Sequence, residues 1–220
     1  MTRQWGKPPR TFRAMEKVVA MKRVALLVLL VSIAGCETAP RVNVNPRLSA
    51  FPIRRVAILP FEGVPVEKEV EQYRTWWRHN VLDNGAALSD IFTTEMMSIP
   101  DFDYVERSQI QRILQEQHIT LTDLVRDRSA SQIGELLDAD AIVLGKVHKF
   151  AYGFNMVNMK TSHVSFSVRM VDTKTGTVLW SASAEAERGG TEVMTLARDE
   201  CAKIVAEVKT KMGKGRGEDR

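Results

Sequence analysis

Side chains that could act as nucleophiles or metal ligands are few in this 220-residue sequence. It contains two cysteines, Cys36 and Cys201, and four histidines: His79, His118, His148 and His163. The histidines have no partner at the spacings that zinc sites use. No glycine-rich phosphate loop follows a strand pattern, and no serine lies in a nucleophile elbow. The sequence therefore predicts no catalytic residue, no metal site and no cofactor, and it favours a protein that is not an enzyme.

Cys36 is the residue whose surroundings do indicate chemistry. The basic triplet Met21-Lys22-Arg23 precedes an apolar run over residues 24–33, and the small residues Ala34 and Gly35 lead directly to the cysteine. This order is typical of a secretory signal. The apolar run is about half of the ~20 residues that a membrane-spanning helix needs. We therefore expect residues 1–35 to be a signal region, cut between Gly35 and Cys36, with Met21 as an alternative start.

The four residues Ile33-Ala34-Gly35-Cys36 resemble the lipobox of bacterial lipoproteins. The resemblance implies that lipid is attached to the thiol, that cleavage occurs before it, and that the new amino terminus is acylated, with palmitate as an expected chain. Several acyl chains on one residue hold a protein firmly to a bilayer. Glu37 follows the cysteine where an aspartate would imply retention in the inner membrane. The expected location is therefore the periplasmic face of the outer membrane.

The positive charge of the sequence belongs to the predicted signal. The whole chain carries +4, but residues 1–35 hold seven basic side chains and one acidic one. The remainder has 24 basic and 26 acidic side chains, so the mature chain is near −2. Nucleic-acid binding needs a basic face to neutralise phosphates. We therefore exclude nucleic acid as a partner and interpret the cluster over residues 209–216 as a solvated end.

Hydrophobic periodicity predicts a single compact α/β domain, with a mixed sheet of about five strands and three to four helices. Residues 36–52 are interpreted as the lipidated cysteine and a tether, 53–209 as the domain, and 210–220 as a flexible tail. Capping boxes are predicted at Ser108 with Gln111 and at Ser129 with Gln132. Cys201 lies on the apolar face of the last helix pattern and is expected to be a small core residue.

The clearest local pattern is a hairpin near the carboxyl terminus. Val164, Phe166, Val168 and Met170 alternate strictly with His163, Ser165, Ser167 and Arg169, and the turn residues of 172–176 come before a second alternating run. Such alternation predicts antiparallel strands with one face in the core and one in solvent. We expect His163 to be a solvated residue of the polar face.

Four segments in order resemble the periplasmic domain of the curli-secretion, CsgG-like, outer-membrane lipoproteins. They are Val56-Ala57-Ile58-Leu59-Pro60-Phe61, Phe102-Asp103-Tyr104-Val105-Glu106-Arg107, Ile113-Leu114-Gln115-Glu116-Gln117 and Leu137-Asp138-Ala139-Asp140-Ala141-Ile142-Val143-Leu144-Gly145. The resemblance covers about residues 53–208. We interpret the Glu106-Arg107 pair as a local ion pair or helix cap and expect Gly145 to permit a close approach.

Channel-forming proteins of that family insert two β-hairpins per subunit into the membrane, and this sequence departs from them. Each hairpin needs two strands of ~9–11 residues and a turn. The two gaps available, Phe150 to Ser162 and Arg188 to Glu192, are too short. We therefore expect the periplasmic domain without the membrane hairpins, while ring assembly through that domain remains open.

The resemblance implies a lipid-anchored, non-enzymatic protein of the cell envelope. The favoured role is an assembly or accessory subunit of a secretion, curli-like or flagellar outer-membrane complex, with protein partners and with a homo-oligomer as one form. The alternative is a regulator of peptidoglycan synthesis, resembling the lipoproteins that activate penicillin-binding proteins. Tyr73, Trp76 and Trp77 lie among charged residues and are the expected partner contact; packing of these rings on their own domain is an equal alternative.

Overall fold

The computed structural model of the chain describes residues 39–64, 84–118, 128–154 and 160–217. Every described element lies in the unit Glu37–Arg220, which residue contacts separate from the unit Met1–Cys36. The strands are β1 (Arg41–Val44), β2 (Arg55–Ile58), β3 (Asp103–Tyr104), β4 (Ala141–Phe154), β5 (Lys160–Asp172) and β6 (Val178–Gly189). The helices are α1 (Asn84–Met96), α2 (Arg107–Glu116), α3 (Arg128–Leu137) and α4 (Val193–Gly217), with a short 3₁₀ helix at Leu48–Ala50.

The strands form one mixed sheet in the order β1-β6-β5-β4-β2-β3. β2 runs parallel to both β3 and β4, whereas β4, β5, β6 and β1 pair antiparallel in succession. This confirms the predicted α/β domain with a mixed sheet, and the sheet has six described strands instead of about five. None of the described helices is long and apolar enough to cross a membrane.

Helices cover the two faces of the sheet unequally. One face packs along its length against α1 and α4, and its buried side chains include Leu88, Phe92, Phe166, Trp180, Leu196 and Ile204. The other face carries a smaller cluster in which α2 and α3 meet β2 and the first half of β4, with Leu59, Ile110, Leu114, Ile133, Leu137 and Ile142 buried there. Cys201 is fully buried in the larger cluster, as predicted, and burial raises the pKa of its thiol.

Two residues of the family motifs hold β2 against β4. Gly145 lies under the ring of Phe61, and a Cβ at this position would overlap the ring carbons. The Asp140 carboxylate accepts hydrogen bonds from the backbone N–H groups of Arg54 and Arg55, both at 3.0 Å. These backbone bonds keep the pKa of Asp140 below its ordinary value. The motifs therefore have structural roles that fix the strand pairing, and the close approach expected at Gly145 is confirmed.

The domain begins and ends outside its predicted bounds. Residues Arg41–Val44, assigned to the tether of 36–52, form strand β1 and pair with β6 from Arg41↔Ser183 to Val44↔Trp180. Helix α4 continues to Gly217, so the tail predicted from residue 210 is helical over that stretch. Both segments are anchored by the fold: Val42 is buried, and the Lys211 ammonium donates to its carbonyl oxygen.

The predicted helix caps differ from the structure, and the cap of α2 lies two residues before Ser108. Glu106 is the N-cap of α2, and its carboxylate accepts from the Ser108 and Gln109 backbone N–H groups and from the Ser108 hydroxyl. The hydrogen bond from the Ser108 side chain is the main reason that the pKa of Glu106 is lowered. Arg107 forms an ion pair with Asp90 of α1. The cap and ion pair expected for Glu106-Arg107 are therefore present, and the capping role predicted for Ser108 is wrong. Helix α3 begins before Ser129, which excludes that residue as its N-cap.

The gap predicted from Phe150 to Ser162 consists largely of strand. β4 extends to Phe154 and β5 starts at Lys160, with Phe150 opposite Val164 and Phe154 opposite Lys160. Thr161 pairs in turn with Gly189 of β6. Most of these residues therefore belong to the sheet of the domain.

Candidate assembly surface

The β1-β6-β5-β4 side of the sheet exposes a polar surface on the face opposite α1 and α4, which we call the open face. It results from the alternation of strand residues, since every second residue points away from the larger core, except at the β-bulge of β4, where His148 and Lys149 both lie on this face. Its side chains are Arg41, Asn43, Lys146, His148, Lys149, His163, Ser165, Ser167, Arg169, Ser181, Ser183, Glu185 and Glu187. The polar hairpin face predicted from residues 163–169 is thus the centre of a wider surface.

The register places serines in the middle of the open face and cations around them. Lys146, Ser167, Ser183 and Arg41 lie side by side on four adjacent strands, and Arg169, Ser181 and Asn43 form the next row. These seven residues line a shallow depression of about 350 Å³. Small hydroxyl side chains leave the backbone accessible, while the basic groups favour a partner that carries negative charge.

The hairpin end of the open face is acidic by contrast. His163 lies between Glu185 and Glu187, with ring nitrogens 3.6 and 3.8 Å from their carboxylate oxygens. Only 15% of the His163 side chain is exposed, so its prediction as a solvated residue is wrong. Burial is the main reason that the pKa of His163 is lowered; Lys149 acts in the same direction and the two glutamates oppose it. The open face therefore has a basic side and an acidic side.

The open face has little of what catalysis requires. His148 Nε2 lies 2.9 Å from Ser167 Oγ, which is the spacing of a base and a nucleophile. A catalytic pair of this kind also needs a group that orients the histidine. In the described parts of the chain no carboxylate contacts His148, and no three residues among His, Cys, Asp and Glu converge as metal ligands would.

The site residues predicted from the sequence lie elsewhere. Gly35, Cys36, Tyr73, Trp76 and Trp77 all fall outside the described residues, so their predicted roles remain predictions. Sequence reasoning missed Arg41 and Asn43, because their segment was assigned to the tether. The signal for them was present, since Arg41 and Asn43 alternate with the apolar Val42 and Val44.

A family model supports the resemblance seen in the motifs. Residues 67–197 match the curli production assembly/transport component CsgG, and this match covers more than half of the chain. The chain belongs to the CsgG family. The matched region extends from before α1 into the first turn of α4, and it includes the β4, β5 and β6 strands of the open face.

Solved structures share the fold of this CsgG-family chain at low sequence identity. The PelC dodecamer from Paraburkholderia phytofirmans is 15% identical with a TM-score of 0.52, over 79% of this chain and 97% of that one. Lipoprotein GNA1162 from Neisseria meningitidis is 17% identical with a TM-score of 0.51, over 71% of this chain and 99% of that one. A comparison with curated protein sequences found no match. At these identities the structural likeness establishes the fold.

Proposed function

We propose that this CsgG-family protein is a non-enzymatic, lipid-anchored subunit that assembles with copies of itself in an outer-membrane secretion complex. The observation that carries the proposal is the family match over residues 67–197, because that family is described by assembly and transport. Export and lipidation at Cys36 rest on the signal pattern of residues 21–36. The proposed location is the periplasmic face of the outer membrane.

The open face supports self-assembly. A surface with a basic side (Arg41, Lys146, Arg169) and an acidic side (Glu185, Glu187) can meet a complementary surface of another copy. The edge strand β1 has no partner strand on its outer side among the described residues, and it borders this face. The PelC relative with the same fold is a dodecamer, which is consistent with assembly by this type of domain.

The tether argues against the peptidoglycan-regulator alternative. Since β1 begins at Arg41, only residues 37–40 lie between Cys36 and the domain. Five Cα-to-Cα steps span at most ~18 Å. A regulator that reaches its synthase through the cell wall needs a much longer connection, so we favour the assembly subunit.

The open face offers a direct test of assembly. We expect Ser183→Glu to raise the protein concentration needed for oligomerisation at least about tenfold, because the added carboxylate lies opposite Arg41, cancels part of the positive charge on the basic side and takes up space in the depression. Ser183 is exposed, so the substitution leaves the core intact. The measurement is light scattering after size exclusion, over a range of protein concentrations.

Ser131→Glu is the matched control for Ser183→Glu. Ser131 is an exposed serine of α3, off the open face, and the substitution makes the same change in net charge. We expect this variant to assemble like the wild type. Equal assembly by the two variants would place the interface on another surface of the domain.

A further inference from the structure

Basic residues of the mature chain are concentrated in two segments that are far apart in sequence. Residues 41–50 contain Arg41 and Arg47 and no acidic residue, and residues 207–217 contain four basic residues and one acidic one, Glu207. These segments thus hold six of the 24 basic side chains that follow Gly35 but one of the 26 acidic ones. The rest of the mature chain is left with 18 basic and 25 acidic residues, so it is strongly negative.

The fold brings the two segments together. Helix α4 packs against β1 and the short 3₁₀ helix that follows it. The Lys211 ammonium donates to the Val42 carbonyl oxygen and lies 2.9 Å from the Glu207 carboxylate. Lys211 therefore joins the end of α4 to β1. We call the resulting surface the basic end: Arg41, Arg47, Lys209 and Lys211.

Several charges of the basic end are available for a partner. Arg41, Arg47 and Lys209 are exposed. None of the three takes part in an ion pair within the described residues. The Lys209 ammonium donates to the Ser98 carbonyl oxygen at 3.1 Å, a contact that leaves its charge uncompensated. An anionic surface would supply the missing counter-charge.

The short connection to Cys36 identifies that surface. With Cys36 lipidated, as the proposed function holds, Arg41 lies within ~18 Å of the bilayer. Electrostatic attraction between exposed charges extends about 8 Å at physiological ionic strength. The short connection lets the basic end come this close to the headgroups, while the acidic remainder of the domain points away from the bilayer. We propose that the basic end docks on the anionic phospholipid headgroups of the membrane in which the protein is anchored. It would act as a second membrane contact that orients the domain.

The test measures binding of the chain that starts at Glu37, which lacks the lipid but contains every described element and its core. The probes are vesicles of phosphatidylethanolamine with phosphatidylglycerol, and neutral vesicles of phosphatidylethanolamine with phosphatidylcholine. We expect sedimentation with the anionic vesicles, weakened by salt, and none with the neutral ones. Each basic residue at an anionic surface strengthens binding about fivefold, so Arg41→Gln, Arg47→Gln and Lys209→Gln together should weaken it on the order of a hundredfold.

The triple variant spares Lys211, because that residue supports β1. The matched control is Arg112→Gln, Lys174→Gln and Arg198→Gln, which removes the same charge from exposed positions on α2, the β5–β6 turn and the first half of α4. We expect this control to bind anionic vesicles like the wild type.

Equal binding by the two triple variants, or equal binding of the wild type to neutral and anionic vesicles, would overturn the proposal. The outcome is independent of the proposed function, since the measurement uses protein without the lipid and does not require the protein to form oligomers. A chain that stays monomeric can still bind anionic vesicles, and a chain that assembles can still fail to bind them.

Discussion

Replacing Gly145 with alanine should lower the free energy of unfolding by about 1–3 kcal/mol, the usual cost of forcing extra volume into a packed core. The added Cβ would overlap the ring of Phe61, which is fully buried. That ring cannot move freely, because it packs on Phe92 with centroids 5.7 Å apart. Urea denaturation of the chain from Glu37 onward measures the change.

Gly213→Ala is the control for the Gly145 experiment. Gly213 lies in α4, and a Cβ there would have no atom within 4 Å. Alanine should therefore stabilise the helix by up to ~1 kcal/mol. Adding Phe61→Leu to Gly145→Ala should recover part of the loss, because the smaller side chain gives the new methyl group room. A Gly145→Ala protein as stable as Gly213→Ala would contradict the packing described for β2 and β4.

Replacing Cys36 with alanine should abolish the incorporation of labelled palmitate by cells that express the full chain. The expectation follows from the chemistry, because lipid transfer needs a thiol and the chain has two cysteines. The other one, Cys201, is fully buried, and burial raises its pKa, so it is unsuited to modification. Loss of label should be complete, since no second acceptor thiol is accessible.

Cys201→Ala serves as the control for labelling. It should incorporate palmitate like the wild type, since a core thiol takes no part in lipid transfer. Both variants should be compared at equal protein level, because removing a buried side chain lowers stability. Label that persists in Cys36→Ala, or that disappears only in Cys201→Ala, would contradict lipidation at Cys36.

The sequence correctly predicted those parts of the fold that depend on the pattern of residues within one segment. The alternation over 163–170 became β5, with Val164 and Phe166 in the core and Ser165 and Ser167 on the open face. The apolar run near Ile142 and Val143 became the start of β4. In these segments the side chains that face the core repeat at the period of the element, so a single sequence is sufficient to predict the element.

Features that depend on distant contacts have weaker signals in the sequence. β1 is only four residues long, and its partner on β6 lies about 140 positions later, so its residues looked like tether. Gly153 lies in the expected gap from Phe150 to Ser162, yet it pairs with Thr161 inside the β4–β5 ladder. Glu106 caps α2 although Ser108 matches the capping-box pattern, because the helix begins at Arg107 and the Glu106 carboxylate accepts from the Ser108 and Gln109 backbone N–H groups.

The candidate site was also only partly predicted, because it too depends on contacts between distant segments. Ser167 and Arg169 were recognised as polar strand residues, but the row that joins Lys146, Ser167, Ser183 and Arg41 depends on four strands in register. His163 was expected in water, and only the cross-strand neighbours Glu185 and Glu187 explain why it is mostly covered. A surface assembled from separate strands is therefore visible only once the sheet order is known.

The proposed function requires that this CsgG-family protein assembles with copies of itself at the membrane. The most direct measurement is the particle mass and shape of the full-length, lipidated protein, extracted from membranes in mild detergent and imaged by negative-stain electron microscopy. We expect closed rings of one size, with a particle mass that is a whole multiple of the mature subunit. Single subunits at all protein concentrations, with no ring in any field, would contradict it.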